Sequence, residues 1–289
     1  MKLGLKIDVD TLRGTQEGVP RLVEVLKKHK AGATFLFSLG PDHTGRALRR
    51  VFRPGFFSKV SRTSVLEHYG IQTLLYGTLL PGPDIGARCA QILRSVRDAG
   101  FEVGIHCWDH VEWQDFVAGS EAAWTEREMQ LAVTRFADIF GRMPKTWGAA
   151  GWQTNVHAAR FEERFTYASD TRGTHPFLPV WNGQLIGCPQ IPTTLPTLDE
   201  LIGLQSDPVQ HLLLCADGRD HVFTAHAELE GGKLAGMFER LLEGWQTRGY
   251  ELISTDQMPL GTLPRHEVIY GEVPGRSGTL ALQGKEVTV

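Results

Sequence analysis

Leu3-Gly-Leu-Lys-Ile-Asp-Val-Asp-Thr11 is an apolar run that ends on two carboxylates. Side chains alternate faces along a strand, so Asp8 and Asp10 point one way while Ile7 and Val9 point the other. The spacing therefore predicts one carboxylate pair aimed at one place. A second stretch, Glu102-Val-Gly-Ile-His-Cys-Trp-Asp-His110, runs from another short apolar strand into His106 and His110. Carboxylate and imidazole at the ends of neighbouring strands suit a divalent transition metal. Each pair alone has an ordinary reading, a strand-end Asp turn or two unrelated histidines. Their conjunction favours metal binding.

Working outward, strand patterns at Lys2–Val9, Ala33–Ser38, Glu102–His106, Thr146–Ala149, Phe165–Ser169, Gln190–Pro192, Val222–Ala227 and Glu251–Ser254 alternate with helical ones. The helical patterns cover Glu17–His29, Ile85–Ala99, Glu121–Phe140, Asn155–Arg164, Pro208–Leu214 and Lys233–Thr247. Such alternation predicts an α/β fold with a parallel sheet, closed as a β/α barrel with irregular or missing units. Barrel chemistry sits at the C-terminal strand ends, where Asp8, Asp10, His106, Asp170 and His226 all fall. Residues 1–264 read as a single barrel, and 265–289 as a Gly-rich appended strand or arm packed on it.

At 289 residues, 42% hydrophobic and 22% charged, the chain can bury a large core, which excludes disordered and collagen-like classes. Four cysteines without C-x-x-C spacing, and no signal-peptide pattern before the acidic pair, predict a reducing, cytoplasmic setting. No stretch approaches the roughly 20 apolar residues of a membrane span. The net charge of −3 is unevenly spread: from His43 to Leu66 there are basic residues (Arg46, Arg49, Arg50, Arg53, Lys59, Arg62) and no acidic ones. Leu48, Val51, Phe52, Phe56 and Phe57 are interleaved with them. That composition, within an insertion at 44–80, predicts a helix lying in an anionic membrane interface. The acidity of the remainder argues against nucleic acid.

Other candidates carry less chemistry by themselves. Gly148-Ala-Ala-Gly-Trp152 is either a tight turn with a packed Trp152 or a set of N–H groups for an oxyanion, and the sequence leaves both open. Asp170 and Arg172 are either a loop ion pair or substrate contacts. His226 ends an apolar strand, as a core histidine or an active-site imidazole.

Taken together, the residues resemble the polysaccharide deacetylase family (NodB-homology, carbohydrate esterase 4). Ile7-Asp-Val-Asp-Thr-Leu-Arg-Gly-Thr15, Ser38-Leu-Gly-Pro-Asp42, His106-Cys-Trp-Asp-His110, Ala149-Ala-Gly-Trp152, Ser169-Asp-Thr-Arg-Gly173, Gln190-Ile-Pro-Thr-Thr-Leu-Pro-Thr197 and His226-Ala-Glu-Leu-Glu-Gly231 look more closely like its branch of lipid-linked aminoarabinose deformylases. The resemblance extends into Gly271-Glu-Val-Pro-Gly-Arg276. It implies an incomplete, (β/α)7-type barrel and hydrolysis of the formamide of 4-deoxy-4-formamido-L-arabinose carried on undecaprenyl phosphate. That reaction leads toward aminoarabinose-modified lipid A and resistance to polymyxin. The implied place is the cytoplasmic side of the bacterial inner membrane, peripherally bound.

The resemblance also implies roles. Asp10, His106 and His110 become ligands of a zinc, manganese, cobalt or nickel ion, Asp8 the general base and His226 the general acid. Arg13 or Arg172 would grip the phosphate, and Glu228 and Glu230 would recognise the new ammonium or orient His226. Three departures stand out. Val9 separates aspartates that are adjacent in the wider family. The family arginine that pairs with the base is missing from Gly148–Trp152, leaving Lys6 or Arg172 to replace it. Val111 stands where a further histidine is expected. The competing functions are N-deacetylation of another polysaccharide or peptidoglycan sugar, and non-catalytic binding of a polyprenyl lipid.

Overall fold

The computed structural model describes residues 1–47 and 72–288. Its first strand, β1 (Lys2–Val9), is buried along almost its whole length. Leu3, Leu5, Ile7 and Val9 join the main apolar core, and Lys6 and Asp8 take the opposite face. The chain continues through α1 (Val19–Lys28), β2 (Thr34–Ser38), α2 (Ile85–Asp98), β3 (Glu102–Cys107), α3 (His110–Phe116), α4 (Ala122–Phe140), β4 (Thr146–Trp147), α5 (Val156–Glu162) and β5 (Tyr167–Ala168). A hairpin of β6 (Leu178–Trp181) and β7 (Gln184–Leu185) precedes α6 (Leu198–Leu201), α7 (Pro208–Cys215), β8 (His221–His226), α8 (Ala235–Thr247) and β9 (Glu251–Ile253). Two longer strands follow, β10 (Arg265–Glu272) and β11 (Thr279–Glu286).

Six strands form a parallel path in the order β5-β4-β3-β2-β1-β8, and β9 pairs with the start of β1. Register puts Asp8 directly beside His226 of β8 and Leu36 of β2. The sheet curls until β5 and β8 face one another across a gap. Residues 190–195 span that gap, Ile191 N donating to Ala168 O at 2.8 Å and Thr194 N to Val222 O at 3.0 Å. Pro192 and Pro196 have no N–H to give a ladder, which is why this segment bridges the barrel without becoming a full strand. Outside the sheet, α1 presents Val19, Leu22, Val25 and Leu26 inward, and α8 presents Phe238, Leu241, Leu242 and Trp245. Burying each such side chain contributes about 1.5–3 kcal/mol.

The observed fold is thus the expected α/β barrel, curled and open. Three further features complete it. Residues after His110, assigned to no element, form the short helix α3, because the Asp109 side chain accepts from Val111 N at 3.2 Å and Glu112 N at 3.1 Å and so caps it. The β6–β7 hairpin went unread, its Pro179 masking the strand pattern. The tail, read as an appended strand or arm, is a pair of eight-residue strands. They join β6 and β7 in a second sheet ordered β11-β10-β6-β7.

The basic insertion lies largely outside the described residues, including Arg49, Arg50, Phe52, Arg53, Phe56 and Phe57. Arg46, which is described, forms an ion pair with Glu112 and donates to Gly77 O at 3.1 Å. Leu79, at the other end of that insertion, is 82% exposed. Among the described residues no helix is long and apolar enough to cross a membrane.

Candidate active site

Each chemical group arrives from a strand end. Asp8 closes β1 and Asp10 lies just past it; His106 is in the last turn of pleat of β3; His110 begins α3; His226 ends β8. Asp10, His106 and His110 bring one donor atom each to within 4.8 Å of one another. His106 Nε2 is 3.3 Å from Asp10 Oδ1, and His110 Nε2 is 3.4 Å from Asp10 Oδ2.

The other nitrogen of His106 fixes what these atoms are. Its Nδ1 lies 2.7 Å from Gly148 O, a carbonyl that can only accept, so Nδ1 carries a proton, and Nε2 is the atom that faces Asp10 and offers a lone pair in the neutral form of the ring. Asp10 Oδ1 is buried without a hydrogen-bond partner. An acceptor facing an acceptor in a buried site fits a cation between them, and one carboxylate with two imidazoles is a donor set for a divalent transition metal. Burial pushes the Asp10 carboxyl up, but the charges of His110 and His106 outweigh it and hold the group well below the usual carboxylate range. His106 shows the reverse balance: burial lowers it, and Asp8 and Asp10 raise it overall.

Beside this cluster, Asp8 is 2% exposed, and its Oδ1 is also without a hydrogen-bond partner. Of the two cations considered for it, Lys6 is the one present: Nζ is 3.4 Å from Asp8 Oδ2 and donates to Ser169 O at 3.1 Å. A buried carboxylate is costly unless paired, and this fully buried ammonium keeps Asp8 compensated. Across the site His226 is 9% exposed with Nδ1 unpartnered. Its backbone N–H donates to Glu230 Oε2 at 2.7 Å. Burial pushes Glu230 up to about 8. Glu228 instead holds the end of β1, its Oε1 accepting from Asp10 N at 3.1 Å, Thr11 N at 2.9 Å and Thr11 Oγ1 at 2.8 Å. A Cβ on Gly14 would sit 1.9 Å from that oxygen, so glycine is what admits the carboxylate there.

The remaining candidates form the wall of the site. Gly148, Ala149 and Trp152 all donate their N–H groups inside the protein, to Ile105 O, Asp170 Oδ1 and Ala149 O. These three N–H groups are thus spent on the turn, and the Trp152 side chain is packed at 2% exposure. Asp170, read as a substrate contact, uses Oδ1 for Ala149 N at 2.7 Å and Oδ2 for Gln190 Nε2 at 3.0 Å. It also faces Glu162, which burial and the Asp170 charge push well above the ordinary range. Arg172 does not pair with Asp170; it reaches Glu200 Oε1 at 2.5 Å and Leu195 O at 2.9 Å. Arg13 bonds Glu17 Oε2 at 2.9 Å and borders an open cleft with Arg21, Glu228 and Lys233.

A second group, His43, Asp109 and Glu112, also lies within 4.8 Å. Its members serve one another and a cation already, His43 bonding Asp109 at 2.5 Å and Glu112 pairing with Arg46. No role was read for Glu200, Thr193 or Arg276: Thr193 and Arg276 fall in the stretches Gln190–Thr197 and Gly271–Arg276 that carry the resemblance, and Glu200 falls in neither.

Fold and site define a class: a hydrolase built on a curled parallel barrel with an Asp-His-His cluster at its strand ends. Residues 6–167 match the family model described as polysaccharide deacetylase. The chain is 37% identical over 300 residues, covering 99% of itself and 96% of the relative, to a probable 4-deoxy-4-formamido-L-arabinose-phosphoundecaprenol deformylase ArnD of Shewanella sediminis. It is 32% identical, over 94% of itself and 99% of the relative, to the protein of the same description in Wigglesworthia glossinidia brevipalpis. Among solved structures, a putative polysaccharide deacetylase from Mycobacterium smegmatis superimposes with TM-score 0.58 at 16% identity, over 89% of this chain and 87% of that one. The chain belongs to the polysaccharide deacetylase family and is a hydrolase of amide bonds.

Proposed function

We propose that this chain hydrolyses the formamide of 4-deoxy-4-formamido-L-arabinose carried on undecaprenyl phosphate, releasing formate and the free amino sugar, on the way to aminoarabinose-modified lipid A. The observation that carries the reading is the convergence of unpartnered buried acceptors, Asp8 Oδ1 and Asp10 Oδ1, with His106, His110 and His226 at one set of strand ends. The likeness to two probable deformylases over nearly the whole chain supports that choice of substrate.

Asp10, His106 and His110 would hold a divalent ion such as zinc, manganese, cobalt or nickel, which when bound supplies a Lewis acid and acidifies water. Asp8 takes a proton from the attacking water, whose oxygen adds to the formyl carbon. Lys6 keeps the Asp8 carboxylate oriented beside β8. His226, protonated, gives its proton to the sugar nitrogen as the C–N bond breaks, so the amine leaves neutral and formate is formed. Trp152 and Thr193, both buried and hydrogen-bonded to one another, exclude bulk water from the back of the site. A polyprenyl-phosphate substrate stays in the bilayer, so the protein would work peripherally at the cytoplasmic face, its 44–80 segment against anionic lipid.

The test is mass spectrometry of the formylated lipid-linked sugar incubated with purified protein loaded with one defined metal. Loss of 28 Da, with formate released, is the expected result. Preference for the N-acetyl analogue would replace this reading with a deacetylase, and no turnover with any metal would leave a lipid binder.

A further inference from the structure

We propose that the β10–β11 hairpin completes the active site through Arg276, a positioning residue that clamps the Trp152 indole against His226. The inference rests on the reading of His226 as the proton donor.

Trp152 needs holding. Its φ is 54°, in the left-handed region that a side chain of this size rarely adopts, and such residues cost on the order of 1–3 kcal/mol. The surroundings must supply that energy. Its Nε1 donates to Thr193 Oγ1 at 3.2 Å, and three cations surround the ring: Arg276 Cζ at 4.7 Å from the centroid, Arg172 Cζ at 5.1 Å and Lys6 Nζ at 5.3 Å. The indole then meets the imidazole of His226 edge to face, with centroids 6.4 Å apart and planes at 78°. A shift of Trp152 therefore moves the surface against which the His226 ring rests.

Arg276 is the member brought from farthest away. It sits in the turn between β10 and β11 and spends its guanidinium on a buried carboxylate cluster. Nε donates to Glu200 Oε1 at 2.8 Å, and Nη2 to Thr197 Oγ1 at 2.8 Å and Asp199 Oδ1 at 3.0 Å. Glu200 also takes Arg172, so one carboxylate fixes both arginines that flank the ring. Gly275 makes the approach possible: its φ is 84°, and a Cβ there would lie 2.6 Å from Glu200 O. The hairpin is stitched to the loops around Trp152, Ala281 O accepting from Arg172 N at 2.9 Å, Gln283 N donating to Arg172 O at 2.8 Å and Gln153 Nε2 to Thr279 O at 2.6 Å. The matched family model ends at residue 167, so none of this hairpin lies within it. A buried ion-paired arginine is a poor source of stability compared with apolar packing. Its geometry here fixes a ring instead.

The experiment uses the full chain with metal bound. In Arg276→Met, which keeps the bulk of the side chain, the indole N–H resonance of Trp152, assigned with Trp152→Phe, and the His226 Cε1–H resonance both move, while metal stoichiometry stays at the wild-type value. Turnover falls on the order of 10- to 100-fold in kcat with KM little changed, the scale of a misplaced catalytic group. Arg276→Lys recovers part of it, because the cation over the ring returns without the fork. The double variant Arg276→Met/Trp152→Phe is no slower than the worse single one. Unmoved His226 resonances in Arg276→Met, additive losses in the double variant, or a loss explained by missing metal would each overturn the proposal. If Arg276→Met does not fold, Arg276→Lys and Trp152→Phe carry the same resonance test. A wild-type protein that released no formate would refute the deformylase reading and leave the resonance test standing.

Discussion

In the parallel sheet, β2 and β8 are buried at every position, and β1 at all but its first residue; in the four-stranded sheet, β10 buries only His266 of its eight residues. The two regions divide the work accordingly. Fully buried strands leave their C-terminal ends as the places where polar groups can gather, and Asp8, His106 and His226 stand there. The half-exposed sheet offers no chemistry of its own but sends one turn, with Arg276, against the wall of the site. Burial thus sets where reacting groups stand, and the second sheet sets how firmly their neighbours are held.

Six substitutions break or sharpen this contrast, in falling order of effect. Asp10→Ala removes the carboxylate that His106 and His110 face. Activity should drop on the order of 10³-fold or more, as several kcal/mol of charge stabilisation are lost, and metal bound after dialysis should fall with it. Phe223→Ala, in β8 against Trp245 at 5.1 Å, should lower unfolding free energy by about 3–5 kcal/mol in urea titration. A small cost there would mean that the buried sheet is not the stable part.

Asp8→Asn and His226→Ala should each slow turnover by roughly 10²-fold or more with metal content unchanged, the usual contribution of a general base or acid. Full activity in either removes that residue from the mechanism. Glu200→Gln tests the link between the sheets. Burial raises the Glu200 carboxyl, but Arg276 and Arg172 outweigh it and lower it below its ordinary 4.5. A group depressed on folding stabilises above its unfolded value and loses that contribution as pH falls through the folded one. The variant should therefore be less stable by about 2 kcal/mol at pH 7, and the gap in Tm should close as the pH is taken from 5 toward roughly 3. A gap independent of pH would deny the charge its part. Smallest is Tyr270→Phe, which removes a hydroxyl donating to Thr154 O from the hairpin and should cost about 0.5–1 kcal/mol by the same titration.

How much of this was legible in the sequence follows from the kind of signal. The seven strands of the parallel sheet and the large helices were readable, the longer strands because burial on both faces writes apolar runs, as in Thr34–Ser38 and His221–His226. Asp8, Asp10, His106, His110 and His226 were readable because each lies within a few residues of such a run. α3 was not, since its seven residues are set by the Asp109 cap more than by periodicity. β10 was not, since exposed positions carry no alternation.

By itself, then, the sequence determined the alternation of strands and helices, the strand-end carboxylates and imidazoles, and the family to which they belong. Local pattern suffices for these because face and period are properties of neighbouring residues. Only the tertiary structure decided that Lys6 rather than Arg172 stands beside Asp8, that Gly148 O fixes the His106 tautomer, and that Arg276 lies over Trp152. Those contacts join residues between 2 and 124 positions apart, and all but the first depend on how the sheet curls and where the hairpin docks, which no local pattern encodes.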